Sequence, residues 1–196
     1  LRSLARKYPT IVQTADGMLW AEMRGGGPGD SGTIIRVDPA TAAATVVHAF
    51  VRPDGWDPFG GLRLTSDGWL YGSTLRGGDE DAGTIFRIDP ATGAFESVYS
   101  LHPSNGTDAQ GPFSRLAEGP DGALYGTTSH ILDLAGHSIA TVFRLRRLPG
   151  GGHAFATIVN VDAATAGQGL LADLVVTSDG WAYGAAEGAG PLGGGT

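Results

Sequence analysis

The sequence predicts an all-β protein built from four-stranded antiparallel blades of a β-propeller, about three and a half repeats of them, an incomplete propeller. Three observations predict this. A five-residue phrase returns four times: Asp16-Gly17-Met18-Leu19-Trp20, Asp67-Gly68-Trp69-Leu70-Tyr71, Asp121-Gly122-Ala123-Leu124-Tyr125 and Asp179-Gly180-Trp181-Ala182-Tyr183, with the Asp positions 51, 54 and 58 residues apart. The segments that follow each phrase recur in a fixed order. The runs between them are short, rich in β-branched and aromatic residues, and bounded by Gly, Pro, Asp or Asn, which is strand chemistry. A period near fifty marks one supersecondary unit stacked on copies of itself.

Taken in order, the second unit shows four runs, roughly Gly61–Thr65, Trp69–Thr74, Thr84–Asp89 and Phe95–Leu101. None has the length or three-four spacing of an amphipathic helix. The first and second runs are joined by Asp-Gly, the signature of a type I′ hairpin turn. The third follows Gly32-Thr33 or Gly83-Thr84, and Gly195-Thr196 repeats that pair. Its apolar segment is Ile34–Val37, Ile85–Ile88 and Val142–Leu145 in successive units. Asp38-Pro39-Ala40-Thr41 and Asp89-Pro90-Ala91-Thr92-Gly93 suit a longer hairpin loop, since Pro presets φ and Gly accepts a left-handed conformation. The fourth run is Val46–Phe50, Val98–Leu101 or Ile158–Val161, and Tyr8, Phe59, Phe113 and Leu171 stand eight residues before each Asp. Four such strands at this period describe a propeller blade. The repeats span approximately 8–58, 59–112, 113–170 and a truncated 171–196, within one domain of 1–196. The chain lacks an initial Met and stops inside a unit, so the expectation is a fragment of a longer chain.

The order Pro-x-x-Gly-Leu, Asp-Gly-x-Leu-Tyr-Gly-x-Thr, Gly-Gly, Gly-Thr-Ile-Phe-Arg resembles the GloVer repeat of bacterial choice-of-anchor tandem-repeat proteins. The best copy runs from Pro58 through Gly61-Leu62, Asp67–Thr74 and Gly77-Gly78 to Gly83–Arg87. The resemblance covers nearly the whole chain. It implies a propeller-like module, extracellular or tethered to a cell surface, with no established common activity. The third unit departs from it: Ser129–Ala140 replaces the Gly-Gly loop, and Gly150-Gly151-Gly152 replaces the Asp-Pro-Ala-Thr turn.

Composition narrows the function classes. The net charge of −7 argues against nucleic acid, which requires a basic footprint. With no Cys, disulfides and thiolate metal sites are excluded. No segment approaches a membrane span, so no membrane insertion is expected within this chain. Gly-x-Ser-x-Gly and Gly-Lys-Ser/Thr signatures are missing, leaving no nucleophile elbow and no phosphate loop. Gly25-Gly26-Gly27 lies between strands, without the helix an anion site needs. No catalytic residue and no cofactor are predicted.

The repeated polar residues read as architecture first. Trp20, Tyr71, Tyr125 and Tyr183 occupy one position in successive units; inter-blade packing is the leading reading over stacking platforms. Arg36, Arg87 and Arg144 also recur, either as a ring about a channel or, preferred here, as strand-face partners of carboxylates such as Asp38 or Asp89. Asp16, Asp67, Asp121 and Asp179 are turn residues before they are a carboxylate array.

In an up-and-down meander successive connections alternate between two ends. The Asp-Gly and Asp-Pro-Ala-Thr turns therefore share one end. The long, variable connections share the other: Arg24–Ser31, Arg76–Ala82 and Ser129–Ala140 within units, and Arg52–Asp57, Pro103–Gly111 and Asp162–Gly169 between them. Binding residues concentrate in loops on a rigid scaffold. Three features stand there. Asp79-Glu80-Asp81 offers oxygens to Ca²⁺ but lacks a calcium loop's alternation. His130, Asp133 and His137 match no zinc spacing. Trp56, in Pro53-Asp54-Gly55-Trp56-Asp57, is the candidate ligand-binding residue, an aromatic able to stack on a sugar. The expected function is a non-enzymatic module, structural or binding, whose partner is carbohydrate or another surface protein. The alternative is a propeller enzyme acting on carbohydrate from the same face.

Overall fold

The computed structural model describes residues 10–106, 110–130, 139–162 and 173–185. Tyr8, Asp133, His137, Leu171 and Thr196 lie outside the described residues. The first sheet is β1 (Val12–Gln13), β2 (Leu19–Met23), β3 (Thr33–Val37) and β4 (Ala44–Ala49). The second is β5 (Trp56–Pro58), β6 (Arg63–Leu64), β7 (Leu70–Arg76), β8 (Thr84–Ile88) and β9 (Phe95–Ser100). The third is β10 (Gln110–Pro112), β11 (Ala117–Glu118), β12 (Leu124–His130), β13 (Ile139–Arg147) and β14 (His153–Asp162), followed by a hairpin of β15 (Val175–Val176) and β16 (Ala182–Tyr183). Each sheet is an antiparallel meander in chain order. A register shift recurs at one place in each, at Ile34/Ile35, Ile85/Phe86 and Val142/Phe143. Among the described residues the only helical turns are short 3₁₀ pieces at Pro28–Asp30 and Pro103–Asn105.

Two expectations need correction. The first strand of the second unit does not begin at Gly61. It is split, with Trp56–Pro58 pairing to the far end of β7 and Arg63–Leu64 to its near end. Trp56 and Asp57 thus belong to a strand and not to the preceding connection. The Asp-Gly turns are not type I′ either, because Asp16, Asp67, Asp121 and Asp179 are absent from the left-handed region. Gly17 N–H donates to Thr14 O at 2.9 Å and Thr14 N–H to Met18 O at 3.0 Å, while Gly17 has φ 82. This is a three-residue loop, a type I turn closed by a left-handed Gly. The Thr14 hydroxyl reinforces it through Asp16 Oδ1 and Met18 O, and Gly119 forms the same loop without one, with Gly122 N–H donating to Gly119 O at 2.9 Å.

Strand alternation sends successive residues to opposite faces, and both faces of the second sheet are covered. Val12, Trp20, Ile34 and Phe50 of the first unit pack with Leu62, Leu70, Phe86 and Ile88 of the second. The neighbouring residues Tyr71, Ile85 and Leu101 pack with Leu116, Leu124, Phe143 and Leu145 of the third. Leu70 therefore looks back and Tyr71 forward. Each large side chain fully buried this way stabilises the stack by about 1.5–3 kcal/mol.

The sheets meet as wedges. At their first strands the backbones nearly touch: a β-carbon on Gly60 would lie 2.7 Å from Ser114 O. At their fourth strands rings fill the gap, with His48 stacked on Phe95 at 3.6 Å and Tyr99 on Phe155 at 4.4 Å. The first strand is thus the inner edge, nearest the axis about which the sheets turn.

Candidate functional site

Register places the tight turns at one end and the long connections at the other, since Gln13, Leu19, Val37 and Ala44 align at one end and Met23, Thr33 and Ala49 at the opposite one. Trp56 stands at the long-loop end of the inner strand, directly across from Arg76. Its ring is partly buried. The Arg52 guanidinium carbon lies 4.9 Å from the indole centroid and that of Arg76 5.6 Å. Asp57, the next residue, turns toward the first sheet, where Arg24 donates to both its oxygens at 2.6 and 2.7 Å.

The segment carrying Trp56 is held from several sides. Val51 N–H donates to Asp54 Oδ1 at 2.8 Å, Thr84 Oγ1 donates to Asp54 O at 2.9 Å and Gly78 N–H to Arg52 O at 2.8 Å. His48 Nε2 lies 3.1 Å from Asp54 Oδ2. Burial pushes the His48 pKa down, against the pull of Asp54. Gly55, at φ 139, sits where a β-carbon would strike Thr74 and Thr84, so only Gly lets this segment lie so close to the sheet.

The acidic run is committed to protein partners, in its own loop and in the next connection. Gly77 N–H donates to Asp81 Oδ1 at 2.9 Å. Ser104 donates through N–H at 3.0 Å and through its hydroxyl to Glu80, which holds that carboxyl below its ordinary value. His102 stands 3.7 Å from Asp79 and 3.5 Å from Glu80. Among the described residues no group of three His, Cys, Asp or Glu could hold a metal ion. Of His130, Asp133 and His137, only the backbone of His130, at the end of β12, is described.

The recurring arginines pair with carboxylates, though not with Asp38 or Asp89. Arg36 reaches Asp16 at 3.0 Å, Arg144 reaches Asp121 at 2.6 Å and Arg87 reaches Glu96 at 2.6 Å. Each sits on a third strand, away from the inner edge, so they do not ring the axis. The Asp-Gly carboxylates are turn residues: Met18, Trp69, Ala123 and Trp181 donate their N–H groups to Asp16, Asp67, Asp121 and Asp179.

Sequence reading missed a polar cluster between the second and third sheets. β13 and β14 extend to Arg147↔His153, beyond the hairpins of the earlier units. Arg147 therefore bridges Asp67 and Glu118, the latter at 3.2 Å. Glu118 also accepts from Ser66 N–H and Oγ at 2.8 and 2.6 Å, and His153 Nε2 lies 3.1 Å from the Tyr71 hydroxyl. The departure of Arg147 and His153 from the Asp-Pro-Ala-Thr pattern was the available signal. A shallow depression of about 390 Å³ beside it, lined by Ser66, Glu118, Pro120 and Val176, opens on the tight-turn face. At the inner edge two further polar contacts break the repeat: Glu22 accepts from Gly61 N–H at 2.8 Å, and Arg115 Nε donates to Leu62 O at 2.9 Å.

The family model described as the Gloeobacter/Verrucomicrobia repeat matches residues 4–196. No curated protein matches the chain. Among solved structures, a gluconolactonase from Xanthomonas campestris is similar with a TM-score of 0.57 at 17% identity, over 91% of this chain and 56% of that one. A putative 6-phosphogluconolactonase from Bacteroides uniformis gives 0.57 at 16%, over 94% and 49%. Another from Bacteroides fragilis gives 0.56 at 18%, over 95% and 50%. The chain spans about half the length of these structures. At such identity the likeness is one of fold, the propeller.

Proposed function

The chain belongs to the Gloeobacter/Verrucomicrobia repeat family, and from that premise we propose that it is a non-enzymatic binding module acting through its long-loop face. We assign it to the cell surface or exterior on the family resemblance, with carbohydrate or a surface protein as partner. One observation carries the reading. In the first two units the tight-turn end repeats the same self-satisfied Thr-x-Asp-Gly and Asp-Pro-Ala-Thr loops, whereas the opposite end presents Trp56 on a segment braced by hydrogen bonds from Gly78 and Thr84. A preorganised aromatic loses little entropy on binding.

The test is an array of bacterial and plant glycans probed with the chain and two variants that keep its circular dichroism. Trp56→Ala is expected to weaken the strongest signal by about tenfold or more, a loss in keeping with an aromatic anchor. Asp89→Ala, on the tight-turn face, is expected to leave it unchanged. Loss of binding on Asp89→Ala alone would reassign the face, and turnover of an arrayed glycan would replace the module with the carbohydrate-active enzyme.

A further inference from the structure

We propose that Arg52, Trp56 and Arg76 form a site for an acidic saccharide, a glycan carrying uronate carboxylates. The inference rests on the long-loop face being the ligand face and specifies what that face selects. Arg24, Arg36, Arg87, Arg144 and Arg147 each reach a carboxylate oxygen within 3.2 Å. Arg63, Arg115 and Arg146 lack such a partner among the described residues, as do the two arginines at Trp56, but only these two lie over one shared ring. Arg52 has its side chain 67% exposed and its nearest carboxylate, Asp81, at 3.6 Å. Arg76 is exposed and pairs with no carboxylate among the described residues; its contact is the indole. In a chain of net charge −7, two guanidiniums meet one indole, Arg52 with only a long ion pair to Asp81 and Arg76 with none among the described residues. The ring satisfies these charges only in part, since an exposed cation–π contact is weak.

An anion at these guanidiniums supplies the close charged partner that the ring does not. Guanidinium forks match a carboxylate's two oxygens, and an indole edge or face beside them suits the C–H surface of a sugar ring. A carboxylate and an apolar ring surface on one residue describe a uronate better than an inorganic anion or a neutral sugar. The backbone that carries these side chains is held in advance. Arg52 is fixed through its carbonyl to Gly78, Trp56 is paired in β5 against Arg76, and Asp57 is clamped by Arg24.

Titration calorimetry of the chain with polygalacturonate, dextran and poly-glutamate tests this. Polygalacturonate is expected to bind, with affinity falling as salt rises. Arg76→Gln and Arg52→Gln are each expected to weaken it by about tenfold or more, the loss of a charge-assisted hydrogen bond. Arg36→Gln, on a third strand, serves as the control and is expected to change nothing. Absence of polygalacturonate binding overturns the proposal, as does equal binding of poly-glutamate, which would mean charge alone. Dextran binding abolished by Trp56→Ala but untouched by Arg76→Gln would overturn the uronate site while leaving the loop face as the ligand face. Polygalacturonate binding insensitive to all three residues would remove both.

Discussion

Tyr71 shows how one repeated position is used twice. Trp20 and Tyr71 are fully buried against the next sheet, so at both the ring supplies apolar area. Tyr125 is partly buried, and Tyr183, with no sheet described beyond it, is 58% exposed. Tyr71 adds a hydroxyl that meets His153 at 3.1 Å. Burial first, then Arg87, lowers the His153 pKa below its ordinary 6.5, with Arg147 adding to the effect and Glu96 and Asp67 opposing it. The folded state therefore holds fewer protons than the unfolded chain. The stabilisation is complete above the unfolded pKa and is lost as pH falls through the lowered folded value. His48 moves the same way through burial. The unfolding midpoint should fall between about pH 7.5 and about pH 5, and His153→Gln should reduce that fall, leaving the share of His48. A midpoint that rises on acidification across this window contradicts the assignment. Tyr71→Phe should cost about 1 kcal/mol in denaturant unfolding, the net worth of a hydrogen bond.

Two glycines separate the demands that elements make on the chain. Gly68 closes a three-residue hairpin loop at φ 85, and a β-carbon there would meet nothing within 4 Å. Gly60 has no left-handed conformation, yet a β-carbon there would press on the Ser114 backbone at 2.7 Å. Gly68→Ala should cost about 1–2 kcal/mol of backbone strain, relieved by Asn, which tolerates that conformation. Gly60→Ala should cost about 1–3 kcal/mol through overpacking between sheets, with no relief from Asn. Denaturant midpoints of the four variants decide it; Asn at residue 60 matching wild type would contradict the close approach. Strand existence was legible because Leu70 and Tyr71, or Ile85 and Phe86, alternate between two apolar faces. The split first strand was not, because Trp56–Pro58 follows Pro53-Asp54-Gly55, a turn signature, and its pairing with β7 is set by tertiary contact. The loop type was not legible because Asp-Gly serves both turns; the Thr two residues before Asp in the first, second and fourth copies supports this loop, but the third forms it with Gly119. The partners of Arg36 and Arg144 were missed because sequence neighbours were favoured over the cross-strand alignment of Trp20 with Arg36 and Tyr125 with Arg144.

At the scale of the molecule the same positions build the two interfaces between the first three sheets. Trp20 and Ile34 face Leu70, Phe86 and Ile88 as Tyr71 and Ile85 face Leu124, Phe143 and Leu145. Glycine at the inner edge and stacked rings at the outer edge set the wedge between sheets, and a repeated wedge turns a stack of sheets about an axis. The long-loop face inherits its rigidity from this packing, because Trp56 and Arg76 stand on strands whose other ends are buried in it. The most direct test is nuclear Overhauser spectroscopy on the aromatic rings. Tyr99 and Phe155, 56 residues apart in sequence, stack at 4.4 Å, and Phe59 and Phe113 meet at 4.4 Å. Cross-peaks between both ring pairs are the expected result. Their absence in a chain that still shows the cross-strand contacts of Tyr71 with Arg87 would mean that the sheets form without lying face to face, and the account would fail.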